Sequence, residues 1–312
     1  MLVIGTGAMA KEYIKALLNK GHLPIVIGRS ISGCDSLKQQ YDVEVFSGGV
    51  EIISSEVIEG KDAIVAVNVE CLFDVTKKLI ESGINKVLIE KPAGMSLQQL
   101  HALKKLSEEN NVDLRVAYNR RFFESVLSLK EILKKDKPTG LHFEFTEWSH
   151  VIEKLDKPME VLDKWLWANS SHIIDLAFFL CGKPDSSKTQ FIQHGSLSWH
   201  PSGETFVGVG VTQESVPFTY NAFWGSAGRW KIEVLTESGR YHLCPVESLS
   251  FQKKGTVTSS IVVENSDLGD GVKPGLTKML DSFLNDSEEL PSINEQLEFL
   301  SLCFEIAGYE IS

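Results

Sequence analysis

The sequence predicts two domains of different class. Residues 1–119 form an α/β unit on a doubly wound parallel sheet, and residues 120–312 form a large, mostly antiparallel sheet with helices on one face. Three observations predict this. Apolar runs alternate with helical stripes through the first 118 residues. A turn carrying two glycines joins the first run to the first stripe. From 188 to 264, short runs follow one another with turn residues between them. Regular alternation places helices on both faces of a parallel sheet. Consecutive short runs joined by tight turns pair antiparallel.

Leu2-Val3-Ile4 is the first strand and leads into Gly5-Thr6-Gly7-Ala8-Met9-Ala10. Gly5 permits a tight turn, Gly7 lets a phosphate approach the backbone, and Ala10 lets the helix pack on the strand. The helix N-terminus adds free N–H groups and a positive dipole end. Gly5, Thr6, Gly7, Ala8 and Met9 are therefore the expected cofactor contacts of a dinucleotide site. Tyr13, Ile14, Leu17 and Leu18 make the apolar stripe of a helix over 8–20, closed by Gly21. Strands are expected near 24–28, 43–46, 63–68, 86–89 and 113–118, and helices near 35–41, 71–82 and 96–110, the last capped by Ser96. Beyond 120 come a helix near 122–135, a strand at 140–148 and a helix ending at Cys181 before Gly182 and Pro184. The strands Phe206–Val211, Phe218–Phe223, Trp230–Leu235 and Tyr241–Leu243 follow. A polar, glycine-rich stretch over 265–275 reads as a mobile loop, and helices near 275–285 and 293–309 close the chain.

Bulk properties narrow the function. With 31 Lys and Arg against 42 Asp and Glu, net charge is −11, and no basic run offers a nucleic-acid surface. The five cysteines are scattered, without zinc or disulfide spacing, so no metal site is expected. The first strand starts at residue 2, which leaves no room for a leader, and no apolar run reaches membrane-spanning length. A cytoplasmic location is expected.

Two polar residues stand where chemistry can occur. Lys91, in Glu90-Lys91-Pro92, follows the strand Val87-Leu88-Ile89 at the carboxyl end of a parallel sheet. A lysine there can orient a substrate oxygen; the plain alternative is a surface lysine. His172 shares a helical face with Asn169 and Asp175. Its imidazole suits acid–base work; the plain alternative is a hydrogen-bonded structural histidine.

These pieces, with Tyr118-Asn119-Arg120-Arg121-Phe122 at the domain junction and His172-Ile-Ile-Asp175-Leu, resemble the glucose–fructose oxidoreductase/inositol dehydrogenase (Gfo/Idh/MocA) family over nearly the whole chain. The resemblance implies a Rossmann domain and NAD(P)-dependent oxidation or reduction of a sugar, polyol or related alcohol, a small-molecule substrate. It implies that Lys91 holds and polarises the reacting oxygen and that His172 passes the proton, the two meeting over the nicotinamide. It places Glu90, Asn119 and Arg120 at the nicotinamide end, with Asn119 and Asn169 toward the substrate. Two departures stand out. The family often carries Asp four residues before the histidine, where this chain has Ala168; Asn169, Ser170 or Ser171 is left to act as a neutral partner. Where the family has a Thr-Pro-Asn-like turn, this chain has Val67-Asn68-Val69, so Asn68 is assigned to the cofactor groove.

The second strand ends in Gly28-Arg29-Ser30, not in the acidic residue that accepts ribose hydroxyl bonds from NAD. Arg29 offers a cation to a 2′-phosphate and Ser30 a small donor, so NADP is expected, with NAD the alternative. Trp148 and Trp167 can wall a sugar pocket. Trp230, Ile232 and Val234 alternate onto one sheet face, which suggests a subunit contact and a homodimer. Ala168 keeps a second reading open, a catalytically silent nucleotide or sugar sensor; a dehydrogenase for a non-sugar alcohol or ketone is a third.

Overall fold

The structure, a computed structural model, describes residues 1–264, 271–285 and 289–310. It divides into two compact units, Met1–Tyr118 with Gly271–Glu298, and Asn119–Asp270 with Phe299–Ile311.

The first unit contains a six-stranded sheet: β1 (Leu2–Ile4), β2 (Ile25–Gly28), β3 (Glu44–Ser47), β4 (Asp62–Val65), β5 (Lys86–Glu90) and β6 (Asp113–Ala117). All pairs are parallel, in the order β3-β2-β1-β4-β5-β6. Strand order reverses between β1 and β4, the switch point where such sheets bind ligands. The strands are near-continuous apolar runs because both faces are covered; Leu2, Val3, Val26, Val65, Val87 and Leu88 are all fully buried. The helices are α1 (Ala8–Asn19), α2 (Ile31–Gln40), the short α3 (Ser55–Ile58), α4 (Leu72–Glu81) and α5 (Leu97–Glu109). In α1, Tyr13, Ile14 and Leu17 are fully buried; each such side chain contributes about 1.5–3 kcal/mol. Its C-terminus closes as expected at Gly21, with Gly21 N–H bonded to Leu18 O at 2.9 Å and His22 N–H to Leu17 O at 3.0 Å. Ser96 caps α5, its hydroxyl accepting from Gln99 N–H at 3.2 Å. Helix α2 starts four residues earlier than expected: Ser30 is its cap, accepting from Gly33 N–H at 3.2 Å.

A second difference concerns the expected boundary. Residues 271–298 join the first unit and not the second. The helix α10 (Leu276–Leu284) packs on α1, and Lys20 pairs with Asp281 at 2.5 Å. The Lys86 ammonium, at the start of β5, donates to Phe283 O at 2.5 Å and has Asp113 at 3.8 Å. Chain proximity alone does not reveal these pairings, which span some 200 residues or more. The loop expected over 265–275 lies, for residues 265–270, outside the described residues.

The second unit contains an eight-stranded sheet in the order β14-β13-β12-β11-β7-β10-β9-β8. Its strands are β7 (Pro138–Phe145), β8 (Gln190–His194), β9 (Thr205–Val211), β10 (Pro217–Phe223), β11 (Trp230–Thr236), β12 (Gly239–Leu243), β13 (Leu249–Lys253) and β14 (Ser260–Val263). Only the β7–β10 pair is parallel. The helices are α6 (Glu124–Leu133), the short α7 (Ser149–Ile152) and α8 (Met159–Leu162), and α9 (Ser171–Cys181). The last helix, α11 (Ile293–Ala307), begins in the first unit and ends in the second.

Here the expected subunit face is corrected. Ile232 and Val234 are fully buried in the core of their own unit, where α9 packs on β7 and β11. The opposite side of β11 carries Lys231, Glu233 and Leu235, all partly exposed. Period-2 alternation identifies the apolar face of a strand but not what covers it.

Candidate functional sites

The carboxyl ends of β1, β2 and β4 open into a cleft of about 470 Å³, lined by Gly5, Thr6, Gly7, Arg29, Ser30 and Asn68 among others. Gly5 sits at φ +125°, and a Cβ there would run into the carbonyl oxygen of Ala66 on the neighbouring strand. Only glycine fits that turn. At Gly7 a Cβ would meet nothing within 4 Å. That opening faces the first turn of α1, whose cap residue makes no side-chain bond to the helix N–H groups. Free donors, an open approach and a cleft at the switch point fit the pyrophosphate of a dinucleotide.

Arg29 and Ser30 are exposed and lie on the cleft wall. Sequence reasoning missed further lining residues: Gly48 and Gly49 after β3, then Glu51, and Asp74 on α4. Gly49 N–H bonds to Gly28 O at 2.9 Å, which seats this loop beside Arg29. The double glycine was a legible turn signal; nothing in the sequence tied it to the end of β2.

Glu90 and Lys91 follow directly at the end of β5, outside that cleft lining. Ala93 N–H bonds to Glu90 O at 3.0 Å, closing a turn around the cis Lys91–Pro92 peptide. Gln296, from α11, braces the turn by donating to Pro92 O at 3.0 Å and to the Tyr118 hydroxyl at 3.1 Å. Tyr13 of α1 donates its hydroxyl to Glu90 Oε1 at 2.6 Å. Desolvation pushes the Glu90 carboxyl above its ordinary range, against the opposing pull of Tyr13, Lys91 and Lys273. The helix that presents phosphate donors thus also fixes the carboxylate next to Lys91.

In the second unit, the chain before α9 winds through a π-helical turn, Leu166–Ser170. Such turns are uncommon and concentrate at functional sites. His172 follows it, 7% exposed, its ring 6.3 Å from that of Trp230. Arg120 lies over the same indole at 4.5 Å. Desolvation lowers the Arg120 pKa to about 10, opposed by the charges of Glu247 and Glu147 and helped by Arg229. One turn along α9 from His172, Asp175 takes a bidentate grip from Arg121, Nε at 2.8 Å and Nη2 at 2.5 Å. The first of the two adjacent arginines thus stacks near His172 while the second anchors its helix.

Glu147, buried just beyond β7, was not foreseen. Its Oε1 accepts from Asn169 Nδ2 at 2.9 Å and from Ser170 Oγ at 2.7 Å. A carboxylate 22 residues upstream of Asn169 is thereby directed at two members of the π turn. Ser171 Oγ is buried without a partner among the described residues. Trp148 is exposed; its indole donates to Gly228 O at 3.1 Å and carries Arg229 over its ring at 4.6 Å. Trp167 is corrected: it is fully buried against Phe299 and Phe304, so it packs the core and offers no sugar wall. Asn119 opens a short 3₁₀ turn that runs to Phe122.

No described helix is long and apolar enough to cross a membrane.

Comparisons with known proteins agree with this architecture. Residues 1–118 match the oxidoreductase family with an NAD-binding Rossmann fold, Gfo/Idh/MocA. None of the curated protein sequences matches the chain. Among solved structures, UDP-N-acetylglucosamine 3-dehydrogenase from Acidithiobacillus ferrooxidans shares the fold at TM-score 0.75 and 13% identity, over 99% of this chain and 97% of that one. An oxidoreductase from Agrobacterium radiobacter, solved with NAD+, L-tartaric acid and magnesium, aligns at TM-score 0.77 and 15% identity over 98% and 95%. A levoglucosan dehydrogenase in complex with NADH and L-sorbose aligns at 0.74 and 14% over 98% and 94%. Residues 1–118 thus match the model of an oxidoreductase family with an NAD-binding Rossmann fold, and the whole chain shares its fold with those dehydrogenases.

Proposed function

We propose that the chain is an NADP(H)-dependent dehydrogenase or reductase that moves hydride to or from the CH–OH carbon of a sugar, sugar derivative or polyol. The observation that carries the reading is the cleft at the β1–β4 switch point, lined by Gly5, Gly7 and Arg29. The sugar class is supported by the substrates named for the structural relatives and by the exposed Trp148 platform.

Gly5, Thr6, Gly7, Ala8 and Met9 would hold the pyrophosphate through backbone donors, and Asn68 would line the groove. Arg29 and Ser30 would receive the 2′-phosphate. When bound, the nicotinamide supplies the hydride acceptor or donor. Lys91 would hold the reacting oxygen as a cation, with Glu90 beside it. His172 would give or take the hydroxyl proton; Arg120 and Trp230 wall its ring, and Asn119, Trp148 and Asn169 contact the substrate. The Glu147–Asn169–Ser170 network keeps the turn before His172 in one arrangement, a role for a carboxylate that need not touch the imidazole.

Isothermal titration of both cofactors tests the preference. NADPH binds more tightly than NADH, and Arg29→Ala costs roughly 10–100-fold in NADPH affinity, the worth of a charge-assisted bond, while sparing NADH. Equal or tighter NADH binding refutes it and shifts the ribose contact to Glu51 or Asp74, the two carboxylates lining the same cleft.

A further inference from the structure

The segment that returns to the first unit brings a cation to the dinucleotide site. Lys273 lies in the short loop before α10, far in sequence from the glycine turn. Its backbone N–H donates to Glu12 Oε2 on α1 at 2.8 Å, and its ammonium reaches Met9 Sδ at 3.1 Å. Met9 is the second residue of α1, in the first turn of that helix.

The placement is electrostatically odd. The N-terminus of a helix carries roughly half a positive charge and favours anions. Lys273 is exposed, and among the described residues its ammonium has no ion pair. Glu12 Oε1 is held by Lys15 at 3.0 Å, and its other oxygen takes the Lys273 backbone N–H, not the ammonium. A thioether is a weak acceptor and cannot balance the charge. The loop is nonetheless anchored at this spot by the Glu12 bond and by the Lys20–Asp281 pair of 2.5 Å behind it. A cation held beside Met9, in the first turn of α1, adds its charge to the positive end of that helix, where an anion is favoured.

We propose that Lys273 is a cofactor-binding residue, a cation that the C-terminal segment delivers to the dinucleotide pyrophosphate at the N-terminus of α1. The inference rests on the reading of the cleft as an NAD(P) site. It also explains why 271–298 packs with the first unit: the segment completes that unit's ligand site. The Lys273 charge also pulls the Glu90 carboxyl downward, against its desolvation.

The test is fluorescence titration of NADPH and NADH into wild type, Lys273→Met and Lys273→Arg, with adenosine 2′-monophosphate as a ligand that lacks the pyrophosphate. Lys273→Met keeps the stem and removes the charge. It weakens both dinucleotides by about 10–100-fold, leaves adenosine 2′-monophosphate within twofold, and flattens the salt dependence of dinucleotide binding; Lys273→Arg restores most of the affinity. Dinucleotide binding within twofold of wild type in Lys273→Met, at unchanged melting temperature, overturns the proposal. So does an equal loss of all three ligands, which marks a folding defect and not a lost phosphate contact. Wild type that binds neither dinucleotide overturns the cleft reading itself, and this inference with it.

Discussion

Removal of the Arg121 side chain tests the frame that holds His172. Arg121 and Asp175 form a bidentate pair with side-chain exposures of 14% and 5%, and the guanidinium also lies 4.6 Å over the Phe179 ring. In Arg121→Ala, Asp175 stays behind as a buried charge without its fork. Breaking such a pair costs about 3–5 kcal/mol, far more than a surface salt bridge, because the remaining ion is desolvated and uncompensated. For a unit of roughly 150–250 residues this lowers the melting temperature by about 6–20 °C. Urea melts followed by tryptophan fluorescence give the free energy directly. Arg121→Lys falls between, since an ammonium keeps the charge but cannot make two parallel bonds. The double replacement Arg121→Met with Asp175→Leu recovers much of the loss, because an apolar pair carries no desolvation penalty. If Arg121→Ala loses less than about 1 kcal/mol, or the double variant is no more stable than the single one, the pair is not the buried anchor described.

Further outcomes follow from the same structure. Gly5→Ala forces a Cβ toward Ala66 O at φ +125° and costs on the order of 1–3 kcal/mol, with cofactor affinity lost in calorimetric titration; a variant that binds normally contradicts the turn's assigned role. His200 is buried and its pKa is lowered to about 4, with Nδ1 on Gly203 O and Nε2 on the Tyr309 hydroxyl. Between pH 6.5 and about 4 the unfolded chain takes up a proton that the native state refuses, so stability falls on acidification by up to about 3 kcal/mol; His200→Gln removes that slope from the plot of unfolding free energy against pH. Glu90 has the opposite sign: its raised folded pKa makes the native state the better proton binder above the ordinary carboxylate value. Its contribution is present at acid pH and fades as pH rises through the raised value, and Glu90→Gln flattens that fall. Ile192, Val209 and Phe223 leave apolar surface on the second sheet, and light scattering at micromolar concentration is expected to give twice the 34.7 kDa chain mass; a single-chain mass rules out the dimer.

The parallel sheet was legible because its inner strands carry uninterrupted apolar runs, Leu2–Ile4, Ile25–Ile27, Ala63–Val65 and Val87–Ile89, so each run marks a strand. The strands β8 and β14 were not, since they lie at the two edges of the second sheet and are almost wholly exposed, with no buried face to impose a period. The start of α2 was missed because Ile31 points to solvent and Gly33 weakens the helical pattern. Of the residues proposed for the site, Arg29, Lys91 and His172 stand next to a strand end or on a helical face, so position in the sequence nominates them. Glu147 and Lys273 carry no such signal: each contacts an element far along the chain, and only packing brings them there. Trp167 failed for a related reason, because a tryptophan in a helix reads alike whether it lines a pocket or fills a core.

The most direct test of the dehydrogenase reading is a nicotinamide absorbance assay with NADP(H) and NAD(H) against free sugars, polyols and nucleotide sugars, run on wild type and His172→Ala. The account predicts turnover of at least one such substrate with NADP(H), lowered about 10²–10⁴-fold in His172→Ala while cofactor affinity is retained. No turnover of any substrate by a wild-type protein that binds the cofactor, or equal rates in the two proteins, contradicts it.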